Sequence, residues 1–280
     1  DNAIAKLSET LTNEIGFQQA DFIYNGDATK WIKLANAVKL RIATRFINAN
    51  ETRAREIISS VAADGRLFEN NGDQFTWDIG GTYRGGGTFF EWKGLMYSSK
   101  PVVDFMKKTV DPRLRIFYEL NGYTQATIDA IGAANVSPAI DLDNDNQVLY
   151  TAANGEDILS YRYIGAPAYR QDPNANTPDY YVYSTDPKII GIGAPIVSNW
   201  NTRFIQKCTN RYGNQLPTAT GNYVDVMLSY AEVCFMMSEF ILKGYTSGNA
   251  EDWYLKGIES SLTTHDWIGQ RQDLSMAVAS

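Results

Sequence analysis

The sequence predicts a mainly α protein whose helical scaffold is interrupted by a long, loop-rich excursion. Apolar residues recur at helical spacing from Trp31 to Val61 and again from Tyr223 to Leu262. Asp27, Gly65 and Asn249 stand where helix starts and stops belong. Between Arg113 and Asn222 the periodicity fades among scattered Pro, Gly, Asn and Asp.

The first helix follows the turn Tyr24-Asn25-Gly26-Asp27, with Asp27 as N-cap. Trp31, Leu34, Ala35, Val38, Ile42 and Phe46 define its expected core stripe. Lys30, Lys33 and Lys39 read as a solvated face, because ammonium groups are strongly hydrated. A second helix spans about 51–63, carries Ile57, Ile58 and Val61, and stops at Gly65, whose type suits a left-handed C′ position. So short a connection predicts an antiparallel hairpin. After an irregular, glycine-rich stretch, Ser98-Ser99-Lys100-Pro101 opens a short helix with Val102, Val103, Phe105 and Met106 as its apolar face. Asp111-Pro112 ends it, since the residue before proline disfavours the α region. The excursion holds β-like pieces such as 180–183 and 203–205. A helix over 223–242, apolar almost all round, is expected at the centre of the core. Asn249 caps the last one, with Trp253, Tyr254, Ile258 and Leu262 on its buried face.

Composition narrows the function. The 280 residues carry a net charge of −7, which disfavours a nucleic-acid partner because phosphates call for a basic patch. A single histidine, His265, rules out a histidine-rich zinc site or an H-E-x-x-H helix from this chain alone. Cys208 and Cys234 form no C-x-x-C pair, and Cys234 reads as a small core residue. Aromatic residues are abundant, with 17 Tyr, 12 Phe and 6 Trp, so some rings must reach the surface.

Three stretches resemble the SusD/RagB-like family of surface glycan-binding lipoproteins. Residues 24–36, YNGDATKWIKLAN, continue through Leu40-Arg41-Ile42-Ala43-Thr44-Arg45 in the manner of the family's first motif helix. Asp111-Pro112-Arg113-Leu114 is similar to its DPRL turn. Leu228-Ser229-Tyr230-Ala231-Glu232-Val233, then Tyr254-Leu255-Lys256-Gly257-Ile258, resemble its later helix pair. Ala37, Val38 and Ser238 depart from the usual residues without disturbing the pattern. The resemblance implies tetratricopeptide-like helical pairs in one domain over 1–280, with the scaffold at about 1–110 and 223–280 and a ligand-facing region at about 111–222. It implies export to the outer-membrane cell surface, a lipid anchor that this chain does not include, and both ends of the full protein missing. Its implied partners are an oligosaccharide and a TonB-dependent, SusC-like channel. It implies binding rather than catalysis; a pair of carboxylates for glycoside hydrolysis can be nominated from any acidic chain, and nothing marks one here. The alternative is a tetratricopeptide-like scaffold that binds protein or peptide.

Sugar recognition needs flat rings beside hydrogen-bonding groups. Candidates in the irregular segments are Trp77, Tyr83 with Arg84, Tyr169, Tyr180, Tyr181, and Trp200 with Asn201. Trp31, Trp92, Trp253 and Trp267 read as core. Glu232 and Glu239, seven apart on a helix expected to be buried, call for cationic partners, and Arg41 and Arg45 are the candidates for a scaffold-locking ion-pair set. No cofactor is expected. Asp141, Asp143 and Asp145 resemble the start of a calcium loop, but Asn146 and Ala152 stand where Gly and Glu are required, so a solvated acidic turn is the better reading.

Overall fold

In a computed structural model, the structure describes residues 1–9, 20–78, 98–121, 124–126, 129, 146–165 and 224–271, and the backbone of 85–86 and 208–209. The protein is mainly helical. Its elements are α1 (Asn2–Leu7), α2 (Ala28–Phe46), α3 (Glu51–Asp64), β1 (Phe75–Asp78), β2 (Gly85–Gly86), α4 (Lys100–Lys108), α5 (Leu114–Phe117), β3 (Val148–Thr151), β4 (Asp157–Leu159), β5 (Cys208–Thr209), β6 (Val224–Leu228), α6 (Tyr230–Leu242) and α7 (Ala250–Arg271). Backbone contacts divide the chain into two compact units, 1–79 with 224–265 and 80–223 with 266–280.

The first unit is built on α2 and α3. Asp27 caps α2 by accepting from the amides of Thr29 at 2.9 Å and Lys30 at 3.2 Å. Gly65, at φ 73°, closes α3 in the left-handed conformation that glycine adopts without strain. The helices run antiparallel: Asn36 meets Asp64 near the end of α3, and Lys39 meets Ser60 one turn earlier. The core joins Leu34, Ala37, Leu40, Ile58 and Val61 to Val233, Met237 and Phe240 of α6.

Several expected faces are rotated. On α2 the buried residues are Ile32, Leu34, Asn36, Ala37, Leu40 and Ala43, whereas Val38, Ile42 and Phe46 are exposed. Alanines carry little hydrophobic signal, yet Ala37 and Ala43 let neighbouring elements approach closely. On α4 Val103 and Met106 are buried, but Val102 and Phe105 are exposed. On α7 Tyr254 and Ile258 are exposed, and small residues face inward: Gly257, Ser260 and Thr264. A Cβ on Gly257 would lie 2.6 Å from the Phe235 ring. Trp31 and Trp253 pack partly buried against the core, whereas Trp267 is exposed under the Arg271 guanidinium at 5.3 Å; Trp92 lies outside the described residues.

The helix expected over 223–242 starts only at Tyr230. Val224–Leu228 is a strand paired antiparallel with β1, and Ser229 caps α6 by accepting from the Glu232 amide at 3.0 Å. Cys234 is fully buried in the core, and burial pushes its thiol up to about 11.

In the second unit α4, α5 and the β3–β4 hairpin enclose a small core of Val103, Met106, Leu114, Tyr118, Ile158 and Tyr163. β2 and β5 pair in parallel.

Candidate functional site

The described site grows from one carboxylate. Asp21 Oδ1 accepts from the amides of Ile23 at 3.0 Å and Tyr24 at 3.1 Å, while Oδ2 accepts from the Gly26 amide at 2.9 Å and from Trp31 Nε1 at 2.7 Å. Burial works to raise its pKa, but these four donors hold it down at about 2. Asn25 and Gly26 take positive φ of 53° and 81° to complete the turn.

That turn presents Phe22, 65% exposed, to Trp77 of β1, 42% exposed. Their rings meet edge to face at a centroid distance of 5.3 Å and an interplanar angle of 73°. Inward of the same turn lies an aromatic row, buried at Tyr24 and partly buried at Trp31 and Phe75. Tyr24 sits edge-on to Trp31 at 5.2 Å, Trp31 is 6.5 Å from Phe75, and the Tyr24 hydroxyl donates to the Asp73 carbonyl at 2.8 Å. The ladder sets Trp77 opposite Asp225 of β6, and Asp78 follows it. An exposed ring pair with the Asp225 carboxylate across the ladder can cover an apolar sugar face and accept hydrogen bonds from hydroxyls. Phe22 carries no periodic signal in the sequence because it lies before the first periodic helix. Only the Asp21-x-x-Tyr24-Asn25-Gly26 turn chemistry hints that its backbone is held.

Of the other proposed rings, Tyr83, Arg84, Tyr169, Tyr180, Tyr181, Trp200 and Asn201 lie outside the described residues, as do Asp141, Asp143 and Asp145. Among the described residues no group of three or more His, Cys, Asp or Glu side chains could hold a metal ion.

The ion-pair candidates separate. Arg41 grips Glu232 with both arms, Nε to Oε1 at 2.7 Å and Nη2 to Oε2 at 2.5 Å, and also donates to the Met227 carbonyl at 2.9 Å. It thus ties α2 to the β6–α6 junction. Glu239 instead pairs with Lys243 of its own helix at 2.5 Å, and Arg45 is exposed with no ion pair among the described residues. The face carrying Glu232 and Glu239 is not buried: the two side chains are 40% and 49% exposed. Lys33, expected in solvent, is 11% exposed and pairs with Asp73 at 2.8 Å and Glu69 at 3.0 Å. Burial opposes its charge, but those carboxylates hold its pKa above the ordinary value.

These features define a helical, tetratricopeptide-like scaffold with a surface aromatic pair. The chain belongs to the SusD-like family described as "Starch-binding associating with outer membrane", which it matches over residues 1–276. No curated protein sequence matches it significantly. Among solved structures it is similar to a chitin-binding protein (21% identity, TM-score 0.57, covering 92% of this chain and 44% of that one). It is also similar to a SusD homologue from Bacteroides fragilis (19% identity, TM-score 0.53, 89% and 43%) and to a Bacteroidetes SusD-like protein (18% identity, TM-score 0.57, 99% and 55%). The chain therefore spans about half the length of the structures it resembles. No helix among the described residues is long and apolar enough to cross a membrane.

Proposed function

We propose that this chain is part of a lipid-anchored cell-surface protein that binds oligosaccharides and delivers them, without cleaving them, to a TonB-dependent, SusC-like outer-membrane transporter. Membership of a family described as starch-binding and associated with the outer membrane is the observation that carries this reading. The Phe22–Trp77 pair supports it by offering a rigid, exposed aromatic platform on a strand and a pinned turn.

The test is binding to maltoheptaose, chitohexaose and a panel of other neutral glycans by affinity electrophoresis and calorimetry. One or more should bind, and Trp77→Ala should weaken binding roughly tenfold, about the loss of one well-stacked ring. Retention of no glycan, or binding indifferent to Trp77, Tyr83 and Trp200 replaced together, would overturn the sugar reading. Transporter delivery is tested by co-purification of a channel protein from outer membranes. Exposed Val38, Ile42 and Phe46 along α2 favour the alternative of a peptide-binding helical scaffold, which peptide binding without glycan binding would establish.

A further inference from the structure

The second unit contains a cavity of about 370 Å³ between α4, α5 and β3. Its walls are mostly apolar, including Met106, Val110, Leu114 and Leu149, and its size falls within the range of small-molecule sites. The polar side chains on its lining differ in one respect. The Asp111 carboxylate is gripped by Arg113, Nε to Oδ1 at 2.9 Å and Nη2 to Oδ2 at 2.5 Å. The Thr151 hydroxyl donates to Asp157 at 2.8 Å, and the Tyr150 and Tyr163 hydroxyls bond each other at 2.9 Å. Arg115 makes no hydrogen bond and no ion pair among the described residues: its guanidinium lies 4.8 Å from the centre of the Tyr150 ring, and its Nε is buried with no partner. The Asp266 carboxylate acts on it only at a distance and takes a hydrogen bond from Gln270 at 2.7 Å.

A half-buried guanidinium beside an apolar wall bears part of the cost of desolvation, and an anion that joins it offsets that cost. Its planar fork of N–H donors matches a carboxylate in particular. Asp111 cannot serve without giving up Arg113. The cavity therefore combines a space, an apolar wall and one cation with no ion-pair partner among the described residues.

We propose that this cavity is a binding site for an organic carboxylate with a compact body, in which Arg115 receives the carboxylate and Met106, Leu114 and Leu149 receive the body. This goes beyond the glycan reading and concerns a different set of residues from the Phe22–Trp77 pair. The carboxylate could belong to a free organic acid or to a uronic acid unit of a glycan, and the probes separate the two.

The probes are 3-phenylpropionate and glucuronate, with 3-phenylpropionamide and glucose as their uncharged counterparts, measured by calorimetry and by the shift in melting temperature. At least one carboxylate should bind and raise the melting temperature, its uncharged counterpart should bind at least tenfold more weakly, and added salt should weaken binding. Preference for 3-phenylpropionate identifies a free acid; preference for glucuronate identifies an acidic glycan. Arg115→Met should lose the carboxylate-dependent shift while binding neutral glycans as before, which separates this proposal from the glycan reading. Leu149→Trp, which fills the cavity and keeps the charge, should lose it too, so a folding defect in the Arg115 variant does not decide the matter. The proposal is overturned if neither carboxylate binds, or if folded Arg115→Met or Leu149→Trp binds as the unaltered protein does.

Discussion

The two units treat their buried polar groups differently. In the first, Asp21, Asp73 and Lys33 are each held by several partners, and among the described residues the one buried side-chain atom without a partner is the neutral Asn36 Oδ1, on an amide whose nitrogen bonds Asp64 and the Arg66 carbonyl. In the second, the corresponding atoms among the described residues are guanidinium nitrogens, Nε of Arg115 and of Arg162. Arg162 still reaches Glu156 at 3.8 Å and the Asn121 carbonyl at 3.4 Å through its other nitrogens, whereas Arg115 has neither kind of partner among the described residues. An amide oxygen left short costs little beside an unmatched charge in an apolar setting. The contrast lies in Arg115, the half-buried cation of the second unit that has no hydrogen bond or ion pair among the described residues.

The largest effect expected of a single change lies in the scaffold. Phe240 is fully buried on α6 and stacks with Tyr245 at a centroid distance of 6.4 Å. Phe240→Ala should cost about 3–5 kcal/mol in denaturant unfolding, the range for a truncated core aromatic. A loss below about 1 kcal/mol would mean that this core is not the one that stabilises the fold.

Asp21 comes next. Its four donors are worth about 2–3 kcal/mol because the acceptor is charged, and Asp21→Ala should both destabilise the first unit and release the Phe22 turn. The pKa is depressed on folding, so the stabilisation is fully present above the unfolded value near 4 and is lost as the pH falls through about 2. Asp64, also held at about 2, chiefly by its hydrogen bond with Arg66, loses its share in the same window. Urea melts from pH 5 to pH 2 should show stability falling with pH, with a shallower fall in Asp21→Asn. An identical slope would remove Asp21 from the account.

In the second unit, a Cβ on Gly165 would lie 2.6 Å from the Lys100 backbone nitrogen at the start of α4. Backbone cannot swing aside as a side chain can, so Gly165→Ala should cost about 1–3 kcal/mol. The same change at Gly257 meets the half-exposed Phe235 ring instead and should cost less, since a side chain can move. Thermal melts of both variants compare how each unit tolerates crowding.

Much of the helical frame is legible in the sequence itself. The Asp27 cap, the Gly65 stop and the Asn249 start act within one turn of chain, so neighbouring residues reveal them. The strand at Val224–Leu228 was not legible, because its partner β1 lies far away in sequence, and apolar residues adjoining a helix read as more helix. The inward faces of α2 and α7 escaped for a different reason. They are lined by Ala37, Ala43, Gly257 and Ser260, whose value lies in permitting close approach rather than in hydrophobicity. Of the candidate ring pair, the sequence nominates only Trp77, whereas Phe22 becomes its neighbour only through the turn that Asp21 ties. Arg115 follows the DPRL turn as one more basic residue, and only the cavity distinguishes it.

The smallest effect separates two ion pairs that look alike in sequence. Arg41 and Glu232 are 36% and 40% exposed, so water weakens their attraction, but the two-pronged geometry and the added bond to the Met227 carbonyl hold the guanidinium in place. A double-mutant cycle with Arg41→Met and Glu232→Gln should give a coupling of about 1 kcal/mol, the upper end for exposed pairs. Glu239 and Lys243 are also about half exposed, but they lie four apart on one helix, and their coupling should be about 0.3–0.5 kcal/mol. The difference arises because the first pair joins elements that the folded chain must bring together, whereas the second only supports a helix that the core already holds. Equal couplings would mean that the Arg41 bridge contributes no more to the tertiary structure than a local surface pair does.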